Sequence, residues 1–224
     1  QAESVYLATN EHIRAQVIVE TRNARFIREC QARYPLHDYK RLAQVMDQLR
    51  VIKDEVEVAE LQKAIDITAA GFRRVLKFLK PGVGEWEVEA EYLHEFIRNR
   101  SRKFAYPPII GSGKNACVLH YVENGSVCQD GEMLLMDVGA EWANWNADMT
   151  RTVPVNGRFT KRQRDVYNAV LKVQRGSADF LRPGVTQKEW RDHTIELMEV
   201  ELIGLGLIDA KEAKKQDPND RELV

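Results

Sequence analysis

The strongest constraint on this chain lies between Met133 and Pro154, where two apolar or β-branched runs, each with an aspartate, flank a short stretch of turn-forming residues. Met133-Leu134-Leu135-Met136 leads into Asp137-Val138-Gly139, and Asp148-Met149-Thr150-Arg151-Thr152 begins eleven residues after Asp137. Runs of this length and composition, divided by Gly, Asn and Asp, read as strands. A hairpin turning near Trp142-Ala143 would set Asp137 and Asp148 opposite each other on one face. Two carboxylates so placed repel, the more so when buried, unless a proton or a cation lies between them. Carboxylate oxygens suit hard or borderline divalent ions such as Mn, Mg or Zn. The competing reading is that strand-end aspartates bond turn amides, and spacing alone leaves it open.

Around this hairpin the pattern is mainly helical. Val58, Leu61, Ile65, Thr68, Phe72, Val75 and Leu79 recur at spacings of three and four, which predicts a long helix from Asp54 that Pro81-Gly82 ends. Trp86, Ala90, Leu93 and Ile97 are expected to form the apolar stripe of a second helix. Short strands are expected at Pro107 to Gly113, Val127-Cys128, Met133 to Ala140 and Trp145 to Pro154. Thr160-Lys161-Arg162-Gln163 and Thr186-Gln187-Lys188-Glu189 match capping boxes, each opening a helix. Val166, Val170, Val173 and Leu181 mark the apolar face of the first of these. Residues 1–50 read as an extended piece at Val5-Tyr6-Leu7 and helical stretches broken near Pro35, too short to own a core. Leu79-Lys80-Pro81-Gly82-Val83 echoes Leu181-Arg182-Pro183-Gly184-Val185, each joining one helix to the next. If this is an internal repeat, a second set of strands belongs beyond Val224.

With 33 Lys and Arg against 34 Asp and Glu, the net charge of −1 argues against a nucleic-acid partner, which needs a basic excess or stripe. The longest apolar stretches are far too short for a membrane span. Cys30, Cys117 and Cys128 are odd in number and widely spaced, which suits a reducing compartment without a disulfide framework. With no basic segment followed by an apolar one in the first thirty residues, the expected location is cytoplasmic. The start at Gln1 and the polar run Lys214 to Asp220 suggest cuts through a longer protein. His120 lies between apolar neighbours in Val118-Leu119-His120-Tyr121. It reads either as a packed residue or as a proton carrier facing a substrate.

The stretch from Tyr106 to Thr160 resembles the aminopeptidase P (Xaa-Pro aminopeptidase) branch of the pita-bread metallopeptidases. The resemblance rests on the block from Ile110-Gly111-Ser112-Gly113 to Leu119-His120-Tyr121, on Asp137-Val138-Gly139-Ala140-Glu141, and on the run from Ala147-Asp148-Met149-Thr150 to Arg158-Phe159-Thr160. A looser similarity covers Arg50-Val51-Ile52-Lys53 through the helix to Gly71. The resemblance implies an α+β pita-bread catalytic domain with helices packed on an antiparallel sheet, incomplete over 51–224. Residues 1–50 would be the C-terminal remnant of a creatinase-like domain.

It also implies hydrolysis of the N-terminal Xaa-Pro bond by a dinuclear centre of two divalent ions and a metal-bound hydroxide. Manganese is the expected metal, with Zn or Co as alternatives. By motif position Asp137 and Asp148 would be metal ligands, with Asp148 bridging both ions. His120 would be the substrate-site histidine that positions the scissile amide, Tyr106 a residue near the pocket, and Thr150 a partner orienting a carboxylate. Partners would be peptides with proline at the second position and a second copy of the chain, as a dimer. The family's site takes a later His and two Glu as well, and no His-Gly…His block follows Asp148. His193, in a predicted helix without flanking glycines, is expected to be a surface or packing residue. The chain alone is therefore expected to be inactive. Alternatives on the same fold are a prolidase, a creatinase-like amidinohydrolase, or a non-catalytic binding module.

Overall fold

The computed structural model describes residues 4–8 and 20–213. Gln1 and the polar run Lys214 to Asp220 lie outside the described residues. The chain divides into two compact units, Gln1–Ala64 with Trp142–Trp145, and Ile65–Glu141 with Asn146–Val224.

In the first unit β1 (Ser4–Leu7) pairs in parallel with β2 (Asp38–Arg41), while α1 (Arg22–Arg33) lies between them in sequence and α2 (Ala43–Val51) follows. Parallel neighbours need a crossover connection, and α1 belongs to it. α1 ends at Tyr34, which precedes Pro35 and leaves the helical region (φ −131°, ψ 61°), as steric conflict with the proline ring requires. α3 (Glu55–Phe78) starts on a reciprocal cap: Glu57 N–H donates to Asp54 Oδ1 (2.8 Å) and Asp54 N–H donates to Glu57 Oε2 (2.9 Å).

The second unit is built on an antiparallel sheet of order β3-β4-β7, from β3 (Ile109–Ser112), β4 (Met133–Val138) and β7 (Met149–Pro154). A short hairpin of β5 (Glu141–Trp142) and β6 (Trp145–Asn146) connects β4 to β7. On β4, Leu134, Met136 and Val138 are fully buried, while Met133, Leu135 and Asp137 on the other face are partly exposed. Burial of each large apolar side chain contributes about 1.5–3 kcal/mol, so the inward face fixes which way Asp137 points. The core residues opposite come from α4 (Glu85–Arg98): Val88, Tyr92 and Phe96 are fully buried, and the Tyr92 hydroxyl reaches Met136 Sδ at 3.6 Å. Phe96 meets Phe104 edge-on with ring centroids 5.0 Å apart. Thr68 Oγ1, on α3, accepts the Ala140 N–H (2.9 Å) and pins the chain just past β4.

The helix stripes differ from the sequence expectation, in part on α3 and wholly on α4. On α3, Thr68 and Val75 of the expected stripe are buried together with Ala64, Ile67 and Gly71, whereas Val58 and Ile65 are exposed. Gly71 is the reason: a Cβ there would lie 2.7 Å from Tyr92 Cδ1, so the close approach of α4 selects small residues over large ones. On α4 the buried stripe is Glu85, Val88, Tyr92 and Phe96, and Trp86, Ala90 and Ile97 face outward. A buried carboxylate at the head of the stripe defeats an apolar count. Val127-Cys128 is not a strand but a single bridge, Gly84 to Val127, flanked by the Cys128 N–H to Val83 C=O bond (2.9 Å).

The two Pro-Gly junctions adopt the same turn. Gly82 and Gly184 have φ of 92° and 95°, and in each the N–H of the following valine donates to the C=O three residues earlier, Val83 to Lys80 (3.3 Å) and Val185 to Arg182 (3.1 Å). The echo in sequence is therefore an echo in backbone geometry. α5 (Lys161–Phe180) and α6 (Gln187–Gly204) open on the expected capping boxes, and α7 (Ala210–Ala213) follows. At α5, Gln163 N–H donates to Thr160 Oγ1 (3.2 Å) and Thr160 N–H to Gln163 Oε1 (2.8 Å). Thr160→Ala is expected to destabilise the protein by about 1 kcal/mol in urea unfolding, with an unchanged m-value. None of the described helices is long and apolar enough to cross a membrane.

Candidate metal centre

Asp137 is the penultimate residue of β4, held between the buried Met136 and Val138. Its register partners are Ile109 on β3 and Thr150 on β7. The sequence expectation of Asp148 directly opposite Asp137 is corrected here. The hairpin turns at Ala143 and Asn144, both with left-handed backbone (φ 51° and 66°), one residue later than expected. A two-residue hairpin turn with positive φ at both central residues matches the twist of its strands, and Asn takes that conformation far better than Trp142 would. Moving the turn by one residue moves every cross-strand partner by two. Asp137 therefore faces Thr150, and Asp148, two residues before Thr150, is its diagonal neighbour. A shift of two preserves side-chain parity, so the carboxylates keep one face.

The side chains show this directly. The Tyr106 hydroxyl donates to Asp137 Oδ1 at 2.7 Å and lies 3.2 Å from Asp148 Oδ1, so both carboxylates converge on one hydroxyl oxygen. Burial and then hydrogen bonding to Asp137 push the Tyr106 hydroxyl well above its ordinary pKa. It stays a donor throughout the physiological range. Asp137 and Tyr106 are half-buried and Asp148 is exposed. Thr150 is exposed, and its hydroxyl makes no hydrogen bond to either carboxylate; Tyr106 holds that place. A cavity of about 790 Å³ opens beside this face, lined by Thr150, Thr152 and Met133 from the strands and by Arg162 and Tyr167 from α5. Its size is that of a small-ligand pocket.

His120 is not packed. It is exposed in the loop after β3, with left-handed backbone (φ 58°), between the exposed Val118 and Leu119 on one side and the buried Tyr121 on the other. His193 stacks on Phe180 with ring centroids 4.2 Å apart, as a packing residue on α6. Among the described residues no group of three or more His, Cys, Asp and Glu could hold a metal ion. Asp137 and Asp148 supply hard oxygen donors at one point on one face, which suits a divalent cation as part of a coordination shell. Sequence reasoning missed Glu85, whose carboxylate is fully buried behind the His120 loop. Its only sequence signal is its position at the start of a helix after Pro81-Gly82, which marks a helix charge and nothing more.

Comparison with known proteins shows the family. Metallopeptidase family M24 matches residues 59–216. Xaa-Pro aminopeptidases of Haemophilus influenzae and Escherichia coli are each 38% identical over 164 residues, 73% of this chain but 38% and 37% of theirs. Among solved structures, Escherichia coli aminopeptidase P in its zinc-substituted form with product aligns with a TM-score of 0.79 at 35% identity, over 95% of this chain and 49% of that one. Proline aminopeptidase P II from Yersinia pestis aligns with a TM-score of 0.80 at 33% identity, over 93% and 48%. The chain thus spans less than half the length of these curated relatives and about half of the solved chains. The α+β pita-bread architecture expected from the motifs is shared with these structures. On the strength of its matched residues, the chain belongs to metallopeptidase family M24.

Proposed function

We propose that the full protein hydrolyses the bond between an N-terminal residue and a following proline, with Asp137 and Asp148 among the carboxylates that hold its divalent metal ions. The observation that carries this reading is the convergence of the two Oδ1 atoms on the Tyr106 hydroxyl, on one face of the sheet. When bound, divalent cations polarise the scissile carbonyl and lower the pKa of a water, providing a nucleophile at neutral pH. The protein's own residues prepare that chemistry. β4 fixes Asp137 through its buried neighbours, the Ala143-Asn144 turn sets Asp148 beside it, and Tyr106 orients Asp137 by donating a hydrogen bond to it with Asp148 Oδ1 also within reach. Thr150, opposite Asp137 in register, makes no hydrogen bond to it, so the support expected of Thr150 comes from Tyr106 instead. His120 is read as the group that positions the scissile amide and stabilises the charge that develops on its carbonyl.

Manganese is the proposed ion, with two per site and zinc or cobalt as alternatives. Peptides with proline at the second position are the proposed substrates, and a cytoplasmic dimer is the proposed working form. Residues 1–50 are proposed as the tail of a creatinase-like domain ahead of the catalytic domain from 51 onward; the β1-α1-β2 order suits an α/β domain end.

Assays of the full-length protein on Gly-Pro and on Arg-Pro-Pro test the substrate class. Cleavage of the tripeptide is expected, and cleavage of the dipeptide alone would replace the aminopeptidase reading by a prolidase. His120→Ala is expected to lower kcat about 10²-fold, with the metal content unchanged by elemental analysis. Loss of metal in that variant would make His120 a ligand instead.

A further inference from the structure

α4 opens on a carboxylate that solvent does not reach. Glu85 is fully buried, and its two oxygens receive four donors. Ser112 N–H (2.7 Å) and the Asn115 side-chain amide (3.0 Å) donate to Oε1; the Tyr121 hydroxyl (2.8 Å) and Ser126 N–H (2.8 Å) donate to Oε2. A carboxylate offers about four lone-pair sites, and here each has a partner. One turn further along α4, Glu89 Oε2 accepts from the Asn124 side-chain amide (2.8 Å). Asn124 is itself buried, accepts the Ile110 N–H (3.0 Å) and donates to Pro108 C=O (3.1 Å).

One donor to Glu85, Ser112, is the last residue of β3; the other three, Asn115, Tyr121 and Ser126, come from the loop that follows, and none comes from α3, β4 or β7. The bonds therefore fall from the root of that loop to its end, and His120 is next to Tyr121, which makes one of them. The return leg of that loop runs beside β3 at Ile110, next to Ile109, the register partner of Asp137. His120 has no hydrogen bond of its own among the described residues, yet it holds a left-handed backbone (φ 58°) that costs a non-glycine residue about 1–3 kcal/mol. Such a conformation persists only where its surroundings over-determine it. The anchored neighbour of His120 is Tyr121, bonded to Glu85 Oε2 and also approached by Gly125 N–H (3.2 Å) and the Asn115 amide (2.9 Å).

We propose that Glu85 is a positioning residue for the reaction, acting through Tyr121 and Asn115 to hold the 112–126 loop so that His120 is presented exposed and in fixed orientation to the substrate. This rests on the assignment of His120 to the substrate made above. An apolar side chain at position 85 would fill the space but leave the Ser112 and Ser126 amides unpaired. A fully satisfied buried acceptor rigidifies the groups that bond it.

The test is Glu85→Gln in the full-length protein, which keeps size and shape but turns one acceptor oxygen into a donor that faces two donors. Hydrogen exchange of residues 113–126 is expected to quicken at least tenfold, with residues 133–138 and 149–154 within twofold of the parent. The imidazole resonance of His120, assigned by its absence in His120→Ala, is expected to shift or broaden. Turnover of Arg-Pro-Pro is expected to fall at least tenfold in kcat, with KM and metal content little changed. Tyr121→Phe, which removes one donor of the four and no charge, is expected to give the same pattern at smaller size, and it carries the test should Glu85→Gln fail to fold. An unmoved His120 resonance, or strand amides quickening in step with the loop, would overturn the proposal alone. A moved resonance with unchanged kcat would instead overturn the assignment of His120 to the substrate, and the positioning role with it.

Discussion

Asp148→Asn in the full-length protein is expected to abolish Xaa-Pro hydrolysis, lowering kcat/KM by about 10³-fold or more while the protein stays folded. The argument separates chemistry from stability. Asp148 is exposed just ahead of β7, and its hydrogen-bond contact among the described residues is the 3.2 Å approach of the Tyr106 hydroxyl. Loss of such a contact at an exposed side chain changes stability by roughly 0.5 kcal/mol or less. An asparagine amide there still accepts from Tyr106 through its oxygen, so the local geometry survives. The amide carries no charge, and it has one acceptor atom where the carboxylate has two. It therefore cannot hold two cations at once, and divalent ions are worth several kcal/mol of transition-state stabilisation, about a factor of ten for each 1.4 kcal/mol. Thermal unfolding and a kinetic assay on the same preparation check both halves. Near-normal turnover would refute the bridging role of Asp148.

The largest loss of stability from a single methyl group is expected at Gly139→Ala. Gly139 C=O accepts the Ala105 N–H (2.8 Å), and one residue on, Ala140 C=O accepts the Ala147 N–H (3.0 Å). The chain is therefore clamped on both sides where β4 enters the hairpin. A Cβ at Gly139 would run into the carbonyl oxygen of Ala147, a backbone atom that cannot rotate away, and would press Tyr106 Cε1 at 3.2 Å. The hairpin must open to accept it, which costs about 3 kcal/mol or more. For a chain of this size that corresponds to a fall in Tm of roughly 6–12 °C. Because Tyr106 is one of the groups displaced, the carboxylate pair is expected to lose its shared donor as well. Gly204→Ala provides the comparison: nothing lies within 4 Å of a Cβ there and its φ is not positive, so that variant is expected to be neutral or slightly stabilised. Equal losses at the two positions in calorimetry would remove the steric argument.

What the sequence made legible, and what it concealed, divides along a physical line. Features set by neighbours three or four residues apart were readable. The capping boxes at Thr160 and Thr186 formed as their side-chain chemistry requires, and Pro81-Gly82 and Pro183-Gly184 became the same turn. The common face of Asp137 and Asp148 was also readable, because parity along paired strands survives a turn displaced by one residue. The exact partner was not, since it depends on which two residues take positive φ, and Asn144 decided that. Helix faces escape an apolar count where packing overrides hydrophobicity. Gly71 faces inward because Tyr92 occupies the space beside it, and Glu85 faces inward because four donors from a distant loop meet it there. Neither fact is encoded within a helical window. Tyr106 could be placed near the pocket by motif, but its role as the donor common to both aspartates needed the fold to bring residues 31 and 42 positions apart together.

The claim beneath all of this is that Asp137 and Asp148 share a cation. Anomalous diffraction from crystals of the full-length protein grown with manganese tests it most directly. The account predicts density within coordination distance of both carboxylates, on the sheet face that Tyr106 approaches. Manganese bound elsewhere, with both aspartates still turned to the Tyr106 hydroxyl alone, would contradict it.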